Sequence, residues 1–235
     1  MNVQPIKTRV FKEKESLLRF IQEHIPSLPE NSVLGVTSKV VALAEGRTVC
    51  IEDENTKEKV IRAESQWALK TKYVLLTLKD GMFMPSAGVD ESNANGKLVL
   101  LPADSFGAAE ELRTALCSAY GITNLGVLIT DSRTLPLRAG VTGIALGYAG
   151  FSGLNDYRSK LDIFGRPFAM SRTNVADGLA AAAVLIMGEG AEQVPLVVIS
   201  GGPVTFKADF DRNELLIDPE DDMYQPLFGE LPKSV

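Results

Sequence analysis

The chain has 235 residues, 45% of them hydrophobic, enough for one large domain or two small interwoven ones around a sizeable core. A formal net charge of -6 supplies no cationic footprint for nucleic-acid backbones or anionic membranes, so neither is an expected partner. Two cysteines, Cys50 and Cys117, cannot build a disulfide framework or a multi-cysteine zinc site, and a reducing cytoplasm is the expected setting.

Residues 1–16 alternate charged and apolar side chains and lack the apolar core of a signal peptide. Apolar residues at Leu17, Leu18, Phe20 and Ile21 predict a helix over 17–24, stopped by Pro26 and Pro29. Residues 32–37 read as a short buried strand running into a helical turn that Gly46 ends. The spacing of Val60, Ile61, Trp67 and Ala68 predicts an exposed helix over 56–69. Strands are expected at 73–78 and 98–101, and the polar, glycine-bearing loop 85–97 lies between them. Residues 104–120 form an amphipathic helix with Gly121 at its end. Residues 125–129 are a buried strand that delivers Thr130, Asp131 and Ser132 to its end, where polar groups can face a ligand. The small residues of 140–153 mark close backbone approach. Ser171 or Thr173 can cap a helix running to Met187, Gly188 stops it, and 195–200 supplies a last strand. The longest apolar run, 179–187, is far short of the roughly 20 residues a membrane-spanning helix needs. Beyond residue 203 the chain turns acidic, and residues 204–235 are expected to form a partly ordered tail.

No Gly-x-x-x-x-Gly-Lys-Ser/Thr phosphate loop occurs, and Gly188-Glu189-Gly190 does not extend to a dinucleotide fingerprint. His24 is the sole histidine and reads as a helix-surface residue, which removes histidine-rich zinc sites and most histidine-based catalysis. Oxygen chemistry remains. Asp90, Asp131 and Glu189 sit in or beside glycine-bearing turns, where carboxylates can converge on a hard cation such as magnesium or manganese. The block from Ser86 to Asn93 can equally be a capped surface turn, and Asp131-Ser132 an ordinary capping sequence. Asp177 reads as an acid that favours the first turn of its helix. Arg138, Arg158, Lys160 and Arg166 are either solvated charges or a clamp for an anionic substrate.

Taken in order, these blocks resemble the coenzyme F420-0:γ-glutamyl ligase family from about Val33 to Gly201. The carriers are Ser38-Lys39-Val40-Val41, Ala44-Glu45-Gly46-Arg47, Ala87-Gly88-Val89-Asp90 with Ser92-Asn93, and Gly126 to Ser132. Further along come Arg138-Ala139-Gly140, Gly143 to Gly147, Asp162-Ile163-Phe164-Gly165-Arg166, Ala176 to Ala181 and Met187-Gly188-Glu189-Gly190. The resemblance implies an α+β fold of two intertwined parts over residues 1–203, and a homodimer. It also implies that GTP activates an acceptor carboxylate as an acyl phosphate, which the amine of L-glutamate then attacks. By the same resemblance Asp90, Asp131, Ser132 and Glu189 ligate Mg2+ or Mn2+. Ser38, Lys39, Asn93, Met187, Gly188 and Gly190 would contact the guanine nucleotide. Arg138 and Arg166 would cover the acceptor's negative groups, and Asp131 would take part in catalysis.

The sequence departs from the family pattern at three places. Leu43 stands where a lysine is usual, Arg133-Thr134-Leu135-Pro136 replaces a glycine-bearing segment, and Lys7-Thr8-Arg9-Val10 stands in for a Gly-Leu-Pro segment that holds nucleotide. Thr8 and Arg9 are therefore the expected nucleotide contacts at that point. A folate carrying the same glutamyl linkage is the alternative acceptor, and a catalytically silent nucleotide-binding relative is the alternative of a different class.

Overall fold

A computed structural model of the chain describes residues 1–209 and 211–228. Phe210 and positions 229–235, the end of the expected acidic tail, lie outside the described residues. In chain order the elements are β1 (Asn2–Ile6), α1 (Leu17–His24), β2 (Ser32–Thr37), α2 (Ser38–Glu45), β3 (Thr48–Cys50), α3 (Thr56–Ala63), β4 (Trp67–Lys70), β5 (Leu75–Lys79) and β6 (Met82–Pro85). After a 3-10 turn, Ser86–Gly88, follow β7 (Lys97–Val99), α4 (Ser105–Tyr120), β8 (Leu125–Thr134), β9 (Val141–Ala149), β10 (Leu154–Asp156), β11 (Arg172–Asn174), α5 (Val175–Met187), β12 (Leu196–Ser200) and a second 3-10 turn, Gln225–Leu227.

Local chemistry sets most of these boundaries. The Ser16 side chain accepts the Arg19 N–H at the start of α1, and the Asp104 side chain accepts the Gly107 N–H at the start of α4. Gly46 and Gly121 end α2 and α4 in the left-handed region. The helix expected over 56–69 divides: α3 stops at Ala63, and Trp67–Lys70 pairs with β5 instead. Val60 and Ile61 keep helical spacing, but beyond Glu64 the offer of a strand ladder overrides local propensity. The cap of α5 is Asn174, not Ser171 or Thr173: the helix begins only where the pairing of β11 with β10 ends, and there the Asn174 side chain accepts the Asp177 N–H. Strand β1 carried no signal in the sequence. It lies at the sheet's edge, where Pro5 is tolerated.

The main sheet has the order β1-β12-β2-β8-β9, with β2 and β8 parallel and the other neighbours antiparallel. Alternating side chains serve its two faces. Leu34, Val36, Val127, Ile129 and Val198 pack with Phe20 and Ile21 of α1 and Leu112 and Leu116 of α4. Val33, Leu128, Val197 and Ile199 pack with Leu179, Ala180, Ala183 and Met187 of α5. A smaller layer holds β4-β5-β6, the β3-β7 pair and α3, joined by Ile61, Leu75, Ala87, Val89, Leu98 and Leu100. The architecture is α+β. In the segment after residue 203, Phe206 and Leu215 pack on the α5 side of the core, and Glu214 accepts hydrogen bonds from the Tyr148 hydroxyl (2.7 Å) and the Gly153 N–H (2.6 Å). Among the described residues no helix is long and apolar enough to cross a membrane.

Candidate active site

The parallel pair β2 and β8 sets the position of the site. Thr37, the last residue of β2, and Thr130 of β8 are the last register partners of the parallel pair, and beyond them the chain opens into α2 on one side and Asp131-Ser132 on the other. Ligand sites form at such strand ends, where adjoining segments diverge and leave a crevice. Strand β8 does not stop at Ile129 as the sequence implied; it runs on to Thr134 through an irregularity between Ile129 and Thr130. There Leu146 is the extra residue on β9. Asp177 meets this irregularity directly, accepting the Ala145 N–H at 2.8 Å and the Asn174 side-chain amide at 2.7 Å. Its role therefore extends beyond the first turn of α5 to fixing β9.

The loop after β6 forms the opposite wall. Ser86, Ala87 and Gly88 all take positive φ (54°, 52° and 71°), which turns the chain sharply. Buried Thr77 locks that turn by accepting the Ala87 N–H and donating to the Met84 carbonyl. Asp90 is then pinned by reciprocal backbone hydrogen bonds with Val99. A cleft of about 220 Å3 results, lined among others by Ser86, Gly88, Asp90, Asp131, Ser132 and Arg133.

Polar contacts link the walls. Lys39 Nζ lies 2.7 Å from Asp90 Oδ2 and donates to both the carbonyl and the hydroxyl of Ser92. Ser38 Oγ donates to Asp131 Oδ1 at 3.3 Å, and Ser132 Oγ to Glu189 Oε2 at 3.2 Å. The Asn93 amide donates to the Gly190 carbonyl at 3.2 Å, and the Thr130 hydroxyl approaches Met187 Sδ. Thr8 N–H bonds to the Gln193 carbonyl, close in sequence to the Glu189 turn. Thus Asp90, Asp131 and Ser132 line the cleft, and Ser38, Lys39, Asn93, Met187, Glu189 and Gly190 are tied to their segments by these contacts, with Gly188 in the same turn as Glu189.

Three expected residues lie elsewhere. Arg9 forms ion pairs with Glu15 and Glu23 beside α1. Arg138 is exposed in the turn joining β8 to β9, and Arg166 is exposed in the segment between β10 and β11. Arg133, noted in the sequence only as a departure, lines the cleft instead, and its Nε is buried with no hydrogen-bond partner among the described residues. Such an orphaned cationic donor costs free energy unless a ligand accepts from it. Its sole sequence signal was a charged residue immediately after Asp131-Ser132.

Electrostatics single out Asp131. Burial, with the Asp90 charge adding to it, pushes its carboxyl up to about 7 against the opposing hydrogen bonds from Ser132 and Ser38. Burial works in the same direction on Asp90, but hydrogen bonds from Lys39 and Ser92 and the Lys39 charge outweigh it and hold Asp90 below the usual carboxylate range. Among the described residues, no three carboxylate, histidine or cysteine side chains lie close enough to hold an ion as they stand. The donor set, carboxylate and hydroxyl oxygen without sulfur or imidazole, still suits a hard divalent cation. Asp90 already has Lys39 as its counter-charge, whereas the contacts of Asp131 with the Ser38 hydroxyl and the Ser132 backbone do not offset its burial, and an ion would supply that neutralisation.

These features define an α+β protein with an oxygen-rich, acid-lined cleft at the open ends of a parallel strand pair. The chain belongs to the F420-0:gamma-glutamyl ligase family of ligases, whose sequence profile matches residues 5–201. A coenzyme F420:L-glutamate ligase of Methanopyrus kandleri is 32% identical over 234 residues, covering 91% of this chain and 90% of that protein. A protein of the same name from Archaeoglobus fulgidus is 32% identical over 210 residues, covering 82% and 84% respectively. Another from Methanothermobacter thermautotrophicus is 32% identical over 206 residues, covering 80% and 81%.

Proposed function

We propose that this protein is a GTP- and divalent-metal-dependent γ-glutamyl ligase, acting as a homodimer, which joins a carboxylate of a coenzyme F420 precursor to the amine of L-glutamate. The observation that carries this reading is the cleft itself. Asp90, Asp131 and Ser132 present oxygen donors there and Arg133 a cation, while Lys39 pairs with Asp90 and Glu189 accepts from Ser132 beside it. The relatives' shared name supports the choice of substrates.

A carboxylate resists attack by an amine, so the reaction needs a better leaving group. The terminal phosphoryl group of GTP moves to a carboxylate oxygen of the acceptor: one P–O bond forms, the bond to the β-phosphate breaks, and GDP departs. Glutamate nitrogen then attacks the acyl carbon, the C–O bond to phosphate breaks, and the nitrogen sheds a proton as inorganic phosphate leaves. Asp90, Asp131, Ser132 and Glu189 would hold the divalent ion, which neutralises phosphate charge when bound. Lys39, at the start of α2 and paired with Asp90, would offer its ammonium to a phosphate. Arg133 offers its buried Nε–H to an acceptor carboxylate or phosphate. Ser38 and Ser132 fix the orientation of the two acids behind them through the hydrogen bonds already formed.

One mass-spectrometric assay tests the reading. A coenzyme F420 precursor and a folate are offered separately with L-glutamate, with GTP or ATP, and with Mg2+, Mn2+ or EDTA. The expected result is a glutamyl adduct of the F420 precursor with GTP and metal, accompanied by stoichiometric phosphate release. Adduct formation on folate alone would replace the acceptor, and no adduct on either would overturn the ligase reading of this chain.

A further inference from the structure

Asp177 is the third residue of α5, where an acid ordinarily serves the helix start alone by reaching back toward the cap. Here it does more. Its N–H donates to the Asn174 side-chain oxygen at 2.9 Å and its Oδ2 accepts the Asn174 amide, which completes the cap. Its other oxygen, Oδ1, accepts the Ala145 N–H of β9 at 2.8 Å, a contact that the helix start does not need.

Ala145 stands beside the extra residue Leu146, which reverses the alternation of β9. In a regular strand Gly143 and Gly147, four residues apart, would share one face. Instead, a Cβ on Gly143 would strike the Ala180 carbonyl of α5, and a Cβ on Gly147 would strike the Ser105 backbone at the start of α4. The side chains report the same reversal: Leu146 packs on the α4 side of the sheet, and Tyr148, two residues on, packs on the α5 side.

An extra residue of this kind bends its strand and re-aims what lies beyond it. The register partner of Ala145 is Thr130, the residue before Asp131. Past that pair Asp131 stands opposite Ile144, Ser132 opposite Gly143 and Arg133 opposite Thr142. No neighbouring register can replace this one. Absorbing Leu146 into the ladder would slip the outer half by one residue and turn Ile144, in place of Gly143, toward the Ala180 carbonyl, where not even a Cβ fits. With the irregularity released, residues 130–134 and 141–145 would therefore part rather than slide.

We propose that Asp177 is a positioning residue for the cleft: by holding the Ala145 N–H it fixes the irregularity of β9, and through the Thr130–Ala145 pair it sets where Asp131, Ser132 and Arg133 stand. Asp177 touches neither the cleft nor any group in it, so it acts only through the ladder. The ion and anion contacts that this position serves rest on the ligase reading above, whereas the position itself does not.

Two measurements read the position, one of them without metal. Asp177 is half-buried, so Asp177→Ala should fold, with a melting temperature lowered by several degrees. In calorimetric titration this variant is expected to bind Mn2+ about tenfold more weakly than wild type. Asp177→Asn keeps an acceptor oxygen for the Ala145 N–H and should restore most of the affinity. Ala176→Gly is the control, because it loosens the same first turn of α5 while leaving the Ala145 contact in place. It should lower the melting temperature comparably and leave Mn2+ affinity unchanged. In EDTA, hydrogen exchange of Asp177→Ala should quicken over residues 130–134 and 141–145 while 125–129 stay protected, and Ala176→Gly should show no such change. Wild-type Mn2+ affinity in Asp177→Ala, unchanged exchange over 130–134, or equal weakening by Ala176→Gly would reduce Asp177 to a residue of the helix start. If wild type itself takes up no Mn2+ and glutamylates no acceptor, the ligase reading fails, and the exchange result alone decides whether Asp177 holds the segment.

Discussion

Lys39 and Asp90 face each other across the mouth of the cleft, with Nζ 2.7 Å from Oδ2, joining the first turn of α2 to the loop after β6. Both side chains are partly exposed, so the pair contributes at most about 1 kcal/mol to the fold. Its larger effect is to neutralise an acid that would otherwise repel a triphosphate. The ammonium also occupies the flank of Asp90 that a divalent ion would need.

Lys39→Met should therefore leave the melting temperature within a few degrees of wild type and raise the KM for nucleotide about tenfold or more. Without nucleotide, the variant should bind Mn2+ more tightly, because Asp90 has lost its internal competitor. Calorimetric titration of Mn2+ checks this, and weaker Mn2+ binding by the variant would show that Lys39 supports the ion and does not compete with it.

Asp131 gives the metal-free protein a distinctive pH dependence. Its carboxyl is raised to about 7 in the folded state by burial, against about 4 in an unfolded chain. The folded state thus holds the proton more tightly, and stability falls as pH rises from about 4 through 7, with the full penalty present above 7. The penalty is at most about 4 kcal/mol. Denaturant unfolding in EDTA should show wild type losing more stability between pH 5 and pH 8 than Asp131→Asn, which cannot ionise, and Mg2+ should restore the wild-type loss. Parallel curves for the two proteins would mean that another group carries the pH dependence.

The sequence made the connected acids legible, but not all of their cationic partners. Asp90, Asp131 and Glu189 stand next to turns and strand ends, whose glycines and alternating apolar runs are local signals. Arg133 lines the cleft because β8 runs on past Ile129 to Thr134 and puts it two residues beyond Asp131, an extension that depends on pairing with β9. Arg138 and Arg166 were grouped with the acids because they share a glycine-rich stretch, yet β9 carries the chain to the opposite end of the sheet between them. The short strands β1, β3 and β6 were invisible for a similar reason: two have exposed or half-buried sides without alternation, and each is set by its partner.

Arg133 should matter to activity and hardly at all to stability. Its Nε is buried without a partner, so Arg133→Met removes an unsatisfied donor and should change the stability of the free protein by less than about 1 kcal/mol, in either direction. The same substitution should raise the KM for an anionic substrate about tenfold or more. Titrating GTP and acceptor separately identifies which of them Arg133 holds. Unchanged KM values for both, with destabilisation of several kcal/mol, would assign it a purely structural role.

Helix α5 must lie close against β9 for Glu189, just beyond its end, to accept from Ser132, and Gly143 makes that approach possible. A Cβ there would be driven into the backbone carbonyl of Ala180, which cannot move without shifting the helix. Gly143→Ala should therefore cost about 3 kcal/mol and, by displacing the end of α5, separate Ser132 from Glu189. Gly178, on the same helix, is the internal control, because a Cβ there would meet nothing within 4 Å. Gly178→Ala should stabilise by roughly 0.5–1 kcal/mol through the lower entropy of the unfolded chain. Chemical denaturation of both variants gives the comparison directly. If Gly143→Ala were as stable as Gly178→Ala, the close packing of α5 on β9 would not be what holds the Glu189 turn against the cleft.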